Sequence, residues 1–194
     1  YSAPMLVLAS ASPRRRDLLT QAGFTFEVLT ASVNEASRPG ERPIAYVLRL
    51  AREKAEAVAA SPEFQPLAQH STEPPILLGA DTTVVAPTGE ILGKPESDAD
   101  AARMLRLLAG ATHQVITGVA LLGPRADIAE VAAEVTHVTM ITPNDGDIAR
   151  YIATGEPQGK AGAYAIQGQA ARWIPRIQGC YFNVVGLPLA LVTS

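Results

Sequence analysis

The chain has 194 residues, enough for one substantial core, and its 47% hydrophobic and 18% charged residues are typical of a globular protein. A formal net charge of −3 argues against a general surface for nucleic acid or for an anionic membrane. A single cysteine excludes an internal disulfide and fits a reducing compartment, and no apolar run approaches the ~20 residues of a membrane helix. We therefore expect a cytoplasmic protein with no membrane or nucleic-acid partner.

A cluster of cations stands at the predicted start of the first helix. The apolar residues 5–9 predict a buried strand, and Pro13 opens a predicted helix that ends near Gly23, with Ser12 as its N-cap. Arginines at positions 14–16 oppose the positive end of the helix dipole, where acidic residues are favoured. Most runs of charge are solvated surfaces, but this position directly after a strand favours a phosphate-binding site.

A short strand at residues 24–31 and a polar loop are predicted next, followed by a helix over residues 43–60. Apolar residues recur along this helix at helical spacing and define its inward-facing stripe. Lys54 lies on that stripe, between Ala51 and Val58. A lysine there either extends its ammonium group to solvent or meets an anion.

Asp81 is the strongest catalytic candidate in the sequence. It interrupts the apolar residues 76–85, which predict a buried strand, and a buried carboxylate needs a lysine or a metal ion as its partner. A turn at residues 88–89 predicts a hairpin with position 82 opposite position 94, so that Lys94 would lie beside Asp81 and Thr82. A buried ion pair of Asp81 with Lys94 is the structural explanation, and the adjacent threonines favour a functional one.

The other predicted elements complete a single chain of alternating helices and strands. A proline-rich surface loop is predicted at residues 61–75. Further predicted elements are a helix from Ser97 or Asp98 to about Gly110, strands at 114–122, 134–141 and 171–177, and a helix that starts at Asp145 or Asp147, with these aspartates as its caps rather than as metal ligands. His70 and His113 are expected at the surface, His137 in a structural position and Trp173 in the core, whereas Tyr164 suits either packing or contact with a nucleobase.

Common phosphate-binding motifs are missing from the sequence. The segments 89–94 and 155–160 have three residues between their glycines and lack Ser or Thr after the lysine, so neither is a P-loop. No dinucleotide-binding G-x-G-x-x-G follows the first strand. Glu35, in a polar loop, is either a solvated residue or a second carboxylate for Mg²⁺ or Mn²⁺.

The sequence resembles the Maf family of nucleoside triphosphate pyrophosphatases. Matching segments occur in the family's order at residues 8–15, 51–55, 79–82, 92–95, 113–118, 160–168 and 184–188. The resemblance implies a single domain over residues 1–194 with an α/β, inosine-triphosphatase-like fold, in which an elongated mixed β-sheet and two lobes flank a central cleft. It also implies hydrolysis of the α–β phosphoanhydride to a nucleoside monophosphate and pyrophosphate.

The resemblance further implies roles for individual residues. Asp81 would be the proton acceptor or the metal-bound activator of water, and Glu35 would help it to hold Mg²⁺ or Mn²⁺. The positions that match the family's phosphate-binding residues are Ser10, Arg14, Arg15, Lys54 and Lys94. The positions that match its base-specificity residues are Arg14, Thr82 and Gln167.

The segment around Gln167 resembles the branch of the family that acts on dTTP and UTP rather than on 7-methyl-GTP. A glutamine amide complements the N3–H donor and the adjacent carbonyl acceptor of uracil and thymine.

Asn34 stands where relatives often have aspartate, so one possible metal contact is neutral here. The resemblance also implies a homodimer. Two alternatives are a house-cleaning pyrophosphatase for modified nucleotides and a nucleotide-binding regulator of septum formation without turnover.

Overall fold

The computed structural model describes residues 5–71, 73–123 and 129–194. The strands are β1 (Leu6–Ala9), β2 (Phe26–Val28), β3 (Ile76–Val85), β4 (Ile91–Leu92), β5 (Thr112–Leu122), β6 (Ala129–Thr139) and β7 (Arg176–Gln178). The helices are α1 (Pro13–Gln21), α2 (Pro43–Ala59), α3 (Phe64–His70), α4 (Asp98–Leu108), α5 (Asp145–Ala153), α6 (Tyr181–Val185) and α7 (Leu189–Val192). Short 3₁₀ turns lie at Ala161–Ala163 and Gln169–Trp173.

All seven strands belong to one mixed sheet, so the α/β class with a mixed sheet is confirmed. The strand order is β2-β1-β3-β5-β6-β7, and β4 pairs with β3 off this path. β1 runs parallel to β2 and to β3, whereas β4 is antiparallel to β3 and β7 is antiparallel to β6. The chain divides into two compact units by its internal contacts. Unit 1 holds the described residues of Tyr1–Asp81, Thr117–Glu134 and Gly186–Ser194, and unit 2 holds those of Thr82–Ile116 and Val135–Val185.

Two glycines let helix α2 lie against the strands of unit 1. A Cβ atom at Gly79 on β3 would overlap the carbonyl oxygen of Ala51, and one at Gly118 on β5 would overlap the backbone at Val47. The apolar face of α2 is buried beside these glycines, as its spacing predicts. The close approach sets the distance between α2 and β3 immediately before Asp81.

Unit 2 has its own core, built on α4, α5 and the strands around them. Its largest buried side chains include Leu105, Met140, Tyr151 and Trp173. The rings of Tyr151 and Trp173 meet edge to face, with centroids 5.0 Å apart. Trp173 is therefore a core residue, as predicted.

Three local predictions were wrong. Residues 61–75 contain α3, because Pro66 falls in the first helical turn, where a missing N–H costs nothing, and Phe64 and Leu67 pack on the core of unit 1. The strand predicted at 171–177 is a 3₁₀ turn followed by the short β7. Helix α5 is capped by Asn144, whose side chain accepts from the Asp147 N–H, rather than by an aspartate.

In the described part of the chain, no helix combines the length and apolar character needed to cross a membrane.

Candidate active site

The turn between β1 and α1 buries one arginine of the predicted cluster. The Arg15 side chain donates from Nε to the carbonyl of Gly186 (2.8 Å) and from Nη1 to the hydroxyl of Ser10 (3.0 Å). Arg14 is half-buried, whereas Arg16 is exposed. Ser12 occupies the N-cap position without a capping hydrogen bond from its side chain, and its N–H donates to Ser10 instead. The solvated-surface explanation therefore applies to Arg16 and not to Arg15.

Burial makes this turn electrostatically unusual. Desolvation lowers the pKa of both Arg14 and Arg15, and the negative charge of Asp81 opposes the shift at Arg15. A cation that has already lost much of its hydration gains more from a charged ligand than a fully hydrated one does. Ser10 and Arg15 thus form a rigid, cationic pair at a helix start, where an anion is favoured.

Lys54 joins two carboxylates. Its ammonium group lies 2.7 Å from Oδ1 of Asp81 and 2.8 Å from Oε1 of Glu35. The Lys54 and Asp81 side chains are 16% and 11% exposed, whereas Glu35 is 47% exposed. Lys54 therefore meets anions rather than extending to solvent. The structural explanation for Asp81 named Lys94 as its ion-pair partner, whereas the observed partner is Lys54 on α2.

The environment of Asp81 suits a carboxyl group that must accept a proton. Burial raises its pKa, while the charge and the hydrogen bond of Lys54, and the charge of Arg15, act to lower it. A buried carboxylate held ionised by cations, with a pKa raised by desolvation, is a stronger base than a solvated one. This combination is common at catalytic sites.

The loop that carries Glu35 is tied to α2. The Tyr46 hydroxyl donates to the Glu35 carbonyl (2.9 Å), and Arg49 donates to the carbonyl of Ala36 (3.2 Å). Arg49 also forms two short bonds to Glu41, of 2.6 and 2.7 Å, and the bond from Arg49 is the main reason that the pKa of Glu41 falls to about 2. One helix thereby positions both Lys54 and the Glu35 loop.

These supporting residues were missed in the sequence. Arg49 belongs by its spacing to the solvent-facing side of α2, and nothing local indicates that a loop folds over that side. The only sequence feature that pointed to this contact is the opposite charge of Glu41, before the helix, and Arg49, two turns into it. Asn34 accepts from the Ala36 N–H (3.0 Å) and so shapes the same loop.

The remaining predicted site residues belong to unit 2. The pairs Val84↔Leu92 and Val85↔Ile91 have the predicted register, but β4 ends at Leu92, so the observed pairing stops short of positions 82 and 94. Lys94 is exposed, and no ion pair joins it to a described acidic residue. Thr82 is half-buried on β3, and Gln167 is exposed in the turn between the two 3₁₀ segments.

His113 was wrongly predicted at the surface. It lies inside β5 with 1% exposure, and its Nε2 is 2.7 Å from the Tyr164 hydroxyl. Burial lowers its pKa to about 4, so it is neutral at pH 7 and supplies no cation to a phosphate. Tyr164 is buried with it, and the two rings meet edge to face. Of the two explanations for Tyr164, packing is the one supported.

The acidic residues of the site fit a divalent cation only with help from a ligand. Among the described residues, no group of three or more His, Cys, Asp or Glu side chains comes together. Asp81 and Glu35 nevertheless converge on one ammonium group, so their oxygens already lie around a single positive charge. Mg²⁺ is commonly held by one or two carboxylates together with substrate phosphates. The pair therefore fits a cation completed by phosphate oxygens.

Comparison with known proteins covers almost the whole chain. The family model described as "Maf-like protein" matches residues 5–194. The dTTP/UTP pyrophosphatase of Koribacter versatilis is 51% identical over 96% of this chain and 90% of its own length. Those of Pelotomaculum thermopropionicum and Geobacter sulfurreducens are 49% and 50% identical, over 95% and 97% of this chain and 91% and 93% of their own lengths.

One solved structure in the comparison is the Ham1 protein of Staphylococcus aureus. It is 13% identical, with a TM-score of 0.41 over 70% of this chain and 71% of that chain. The family therefore rests on the sequence matches, which span both units and agree with the resemblance seen in the motifs. The chain belongs to the Maf family.

Proposed function

We propose that this protein hydrolyses the α–β phosphoanhydride of nucleoside triphosphates, releasing a nucleoside monophosphate and pyrophosphate, with dTTP and UTP preferred. The observation that carries the proposal is the ion-pair cluster in which Lys54 joins the largely buried Asp81 to the more exposed Glu35. The names of the relatives, at about half identity over nearly their full lengths, support the same activity and base preference. The family match over residues 5–194 supports a single functional domain.

Asp81 is the proposed proton acceptor. Water attacks the α-phosphorus in line with the departing pyrophosphate, and Asp81 takes the proton that the water loses. The desolvation that raises the pKa of Asp81 strengthens it as a base, and Lys54 keeps it ionised before the reaction. When bound, a divalent cation held by Asp81 and Glu35, either Mg²⁺ or Mn²⁺, supplies Lewis-acid neutralisation of phosphate charge.

The cations of the chain bind the phosphates and stabilise the leaving group. Lys54 uses two of its three N–H donors on the carboxylates, which leaves one for a substrate oxygen. Arg15 lies beside the hydroxyl of Ser10, Arg14 precedes it in the same turn, and the exposed Lys94 adds a further positive charge. Charge neutralisation and positioning are most of what phosphoryl transfer requires.

Base selection is proposed for Arg14, Thr82 and Gln167. Gln167 is exposed and can present both a donor and an acceptor to uracil or thymine. A site that relies on such hydrogen bonds rejects other bases, because its polar groups would be left unpaired. We also propose a homodimer, as the family resemblance implies, and a cytoplasmic location, which the single cysteine fits. Sedimentation of the purified protein tests the dimer.

The test is pyrophosphate release from a panel of nucleoside triphosphates with Mg²⁺ or Mn²⁺, run beside Asp81→Asn. Release is expected from dTTP and UTP and should fall by at least 10²-fold in the variant, the range expected for a catalytic base. Asp17→Asn, the same substitution on the exposed side of α1, is the matched control and should retain activity.

Three other outcomes would change the proposal. Retained activity in Asp81→Asn would remove Asp81 from the centre of the mechanism. Release chiefly from 7-methyl-GTP would keep the reaction and refute the base preference. Nucleotide binding without any release would favour the regulator of septum formation, and faster turnover of modified than of canonical pyrimidine triphosphates in competition would favour the house-cleaning enzyme.

A further inference from the structure

We propose that Tyr151 and Glu156 are positioning residues that set base preference by clamping the backbone on both sides of Gln167. The inference rests on the proposed function, in which Gln167 contacts the base. Tyr151 accepts from the Ala165 N–H (3.3 Å) and donates to Oε1 of Glu156 (2.8 Å). The other oxygen of Glu156, Oε2, accepts from the Gln169 N–H (3.0 Å).

The clamp is symmetrical about the residue that it holds. Ala165 and Gln169 each lie two positions from Gln167, so the backbone is tied immediately before and after it. The Tyr151 hydroxyl has one proton, which goes to Glu156, and its lone pairs face the Ala165 N–H. The donors and acceptors therefore form one continuous chain with a fixed direction.

Both ends of the clamp are anchored in unit 2. Tyr151 is fully buried and packs edge to face on Trp173, so its hydroxyl cannot follow a moving loop. Glu156 is held through its own backbone: its N–H donates to the Thr154 hydroxyl, and its carbonyl accepts from the Lys160 ammonium group. A rigid aromatic and a twice-anchored carboxylate are suitable supports for a segment that must not move.

The conformation of the clamped segment agrees with this role. A Cβ atom at Gly168 would overlap the Glu156 carboxylate, so a larger residue directly beside Gln167 would displace the group that holds the segment. Upstream, Ala163 has a φ of 62°, a left-handed conformation that costs a non-glycine residue free energy and persists only where the surroundings impose it. The Gln167 side chain itself is exposed and forms no hydrogen bond to the described residues. The backbone is fixed and the amide is left for a ligand.

A fixed amide discriminates between bases, whereas a mobile one adapts to them. Uracil offers an N3–H donor where cytosine offers an acceptor, and holding the Gln167 backbone limits the positions from which the amide can reach either base, so a backbone placed to suit uracil should favour it over cytosine. Release of the clamp should let Gln167 rotate and shift to accommodate cytosine. The clamp hydrogen bonds lie within unit 2, so the ion pairs of Lys54 with Asp81 and Glu35 in unit 1 should persist.

The experiment measures kcat/KM for UTP and for CTP in Tyr151→Phe, Glu156→Ala and Gln167→Ala. In both clamp variants the UTP/CTP ratio should fall by roughly tenfold, the usual scale for losing one or two specific hydrogen bonds. Glu156→Gln keeps one acceptor oxygen and should recover part of the ratio. Tyr181→Phe, the same change at an exposed tyrosine of unit 2, is the control and should keep the wild-type ratio.

The double variant Tyr151→Phe/Gln167→Ala tests whether the clamp acts through Gln167. If it does, the double variant should have the same ratio as Gln167→Ala alone, because the amide to be positioned is already gone. A further fall in the double variant would overturn the inference. So would a wild-type ratio in folded Tyr151→Phe and Glu156→Ala while Gln167→Ala loses it, and that result would leave the proposed function intact.

An unchanged ratio in Gln167→Ala would refute the base-contacting role of Gln167 in the proposed function and the clamp with it. Tyr151→Phe keeps the buried ring, and thermal unfolding of each variant shows whether the fold is preserved. A general loss of stability would lower both kcat/KM values together and leave their ratio unchanged. The ratio therefore separates positioning from folding.

Discussion

The protein should lose less stability between pH 7 and pH 5 when His113 is replaced by glutamine. His113 is buried in β5, and desolvation lowers its pKa from 6.5 to about 4. Between about pH 6.5 and pH 4, His113 binds a proton in the unfolded chain but stays neutral in the folded protein. The contribution of neutral His113 is thus complete above about pH 6.5 and is lost as the pH falls toward 4.

The magnitude follows from the size of the shift. Each pKa unit corresponds to about 1.4 kcal/mol, so acidification from pH 6.5 to pH 5 should reduce the free energy of unfolding by about 2 kcal/mol through this residue alone. Glutamine does not titrate, and its amide can still bond to the Tyr164 hydroxyl. Carboxylates that also respond to acid are the same in both proteins and cancel in the comparison.

The assay is urea unfolding of the nucleotide-free protein and of His113→Gln at pH 7 and pH 5. The loss of unfolding free energy over this interval should be about 2 kcal/mol smaller in the variant. Tyr164→Phe is the matched control: it removes the hydroxyl but leaves His113 buried, so the pH dependence should remain, because burial and not the hydrogen bond lowers the pKa. An equal loss in wild type and His113→Gln would refute the reasoning.

Two further substitutions test the support of the site. Gly79→Ala should lower the free energy of unfolding by about 1–3 kcal/mol in urea, because the new Cβ atom would overlap the backbone of α2, whereas Gly93→Ala, which meets nothing within 4 Å, should change it little. Equal effects would show that α2 does not depend on the close approach. Arg49→Lys should raise the Mg²⁺ concentration needed for half-maximal pyrophosphate release, because lysine cannot form the paired bonds to Glu41 that hold the Glu35 loop. Arg52→Lys, on the exposed side of the same helix, should not, and a matching shift there would contradict the role of Arg49.

Local patterns predicted the elements that carry the chemistry. The strand at 76–85, the helix from Pro43 and the register of the hairpin about position 88 are confirmed, because each depends on spacing or turn geometry within a short segment. The short α3 was not predicted, since Pro66 indicates a loop unless it falls in the first helical turn. His113 was wrongly predicted at the surface because histidine has no strong preference for either the surface or the core.

The site residues show the same division. Asp81 could be singled out because a carboxylate in an apolar strand needs a partner, and Lys54 because a lysine on an apolar stripe needs an anion. That each is the partner of the other was not predictable, since 27 residues separate them and their contact depends on how closely α2 approaches β3 at Gly79. The contacts of Arg49, Tyr151 and Glu156 were not predictable either. Each bonds to the backbone of a loop, and no periodic pattern in the sequence indicates where such a loop folds.

The sequence by itself determined the family, the α/β class and the residue types that phosphate chemistry needs, because periodicity, turn residues and ordered motifs are local properties of a chain. Tertiary structure decided which polar groups meet: Lys54 with the carboxylates of Asp81 and Glu35, and Arg15 with the hydroxyl of Ser10. It also decided which polar groups lose water, and with it the direction of the pKa shifts of Asp81 and His113. The physical reason is that desolvation and ion pairing depend on distances in space, which packing sets and spacing along the chain does not.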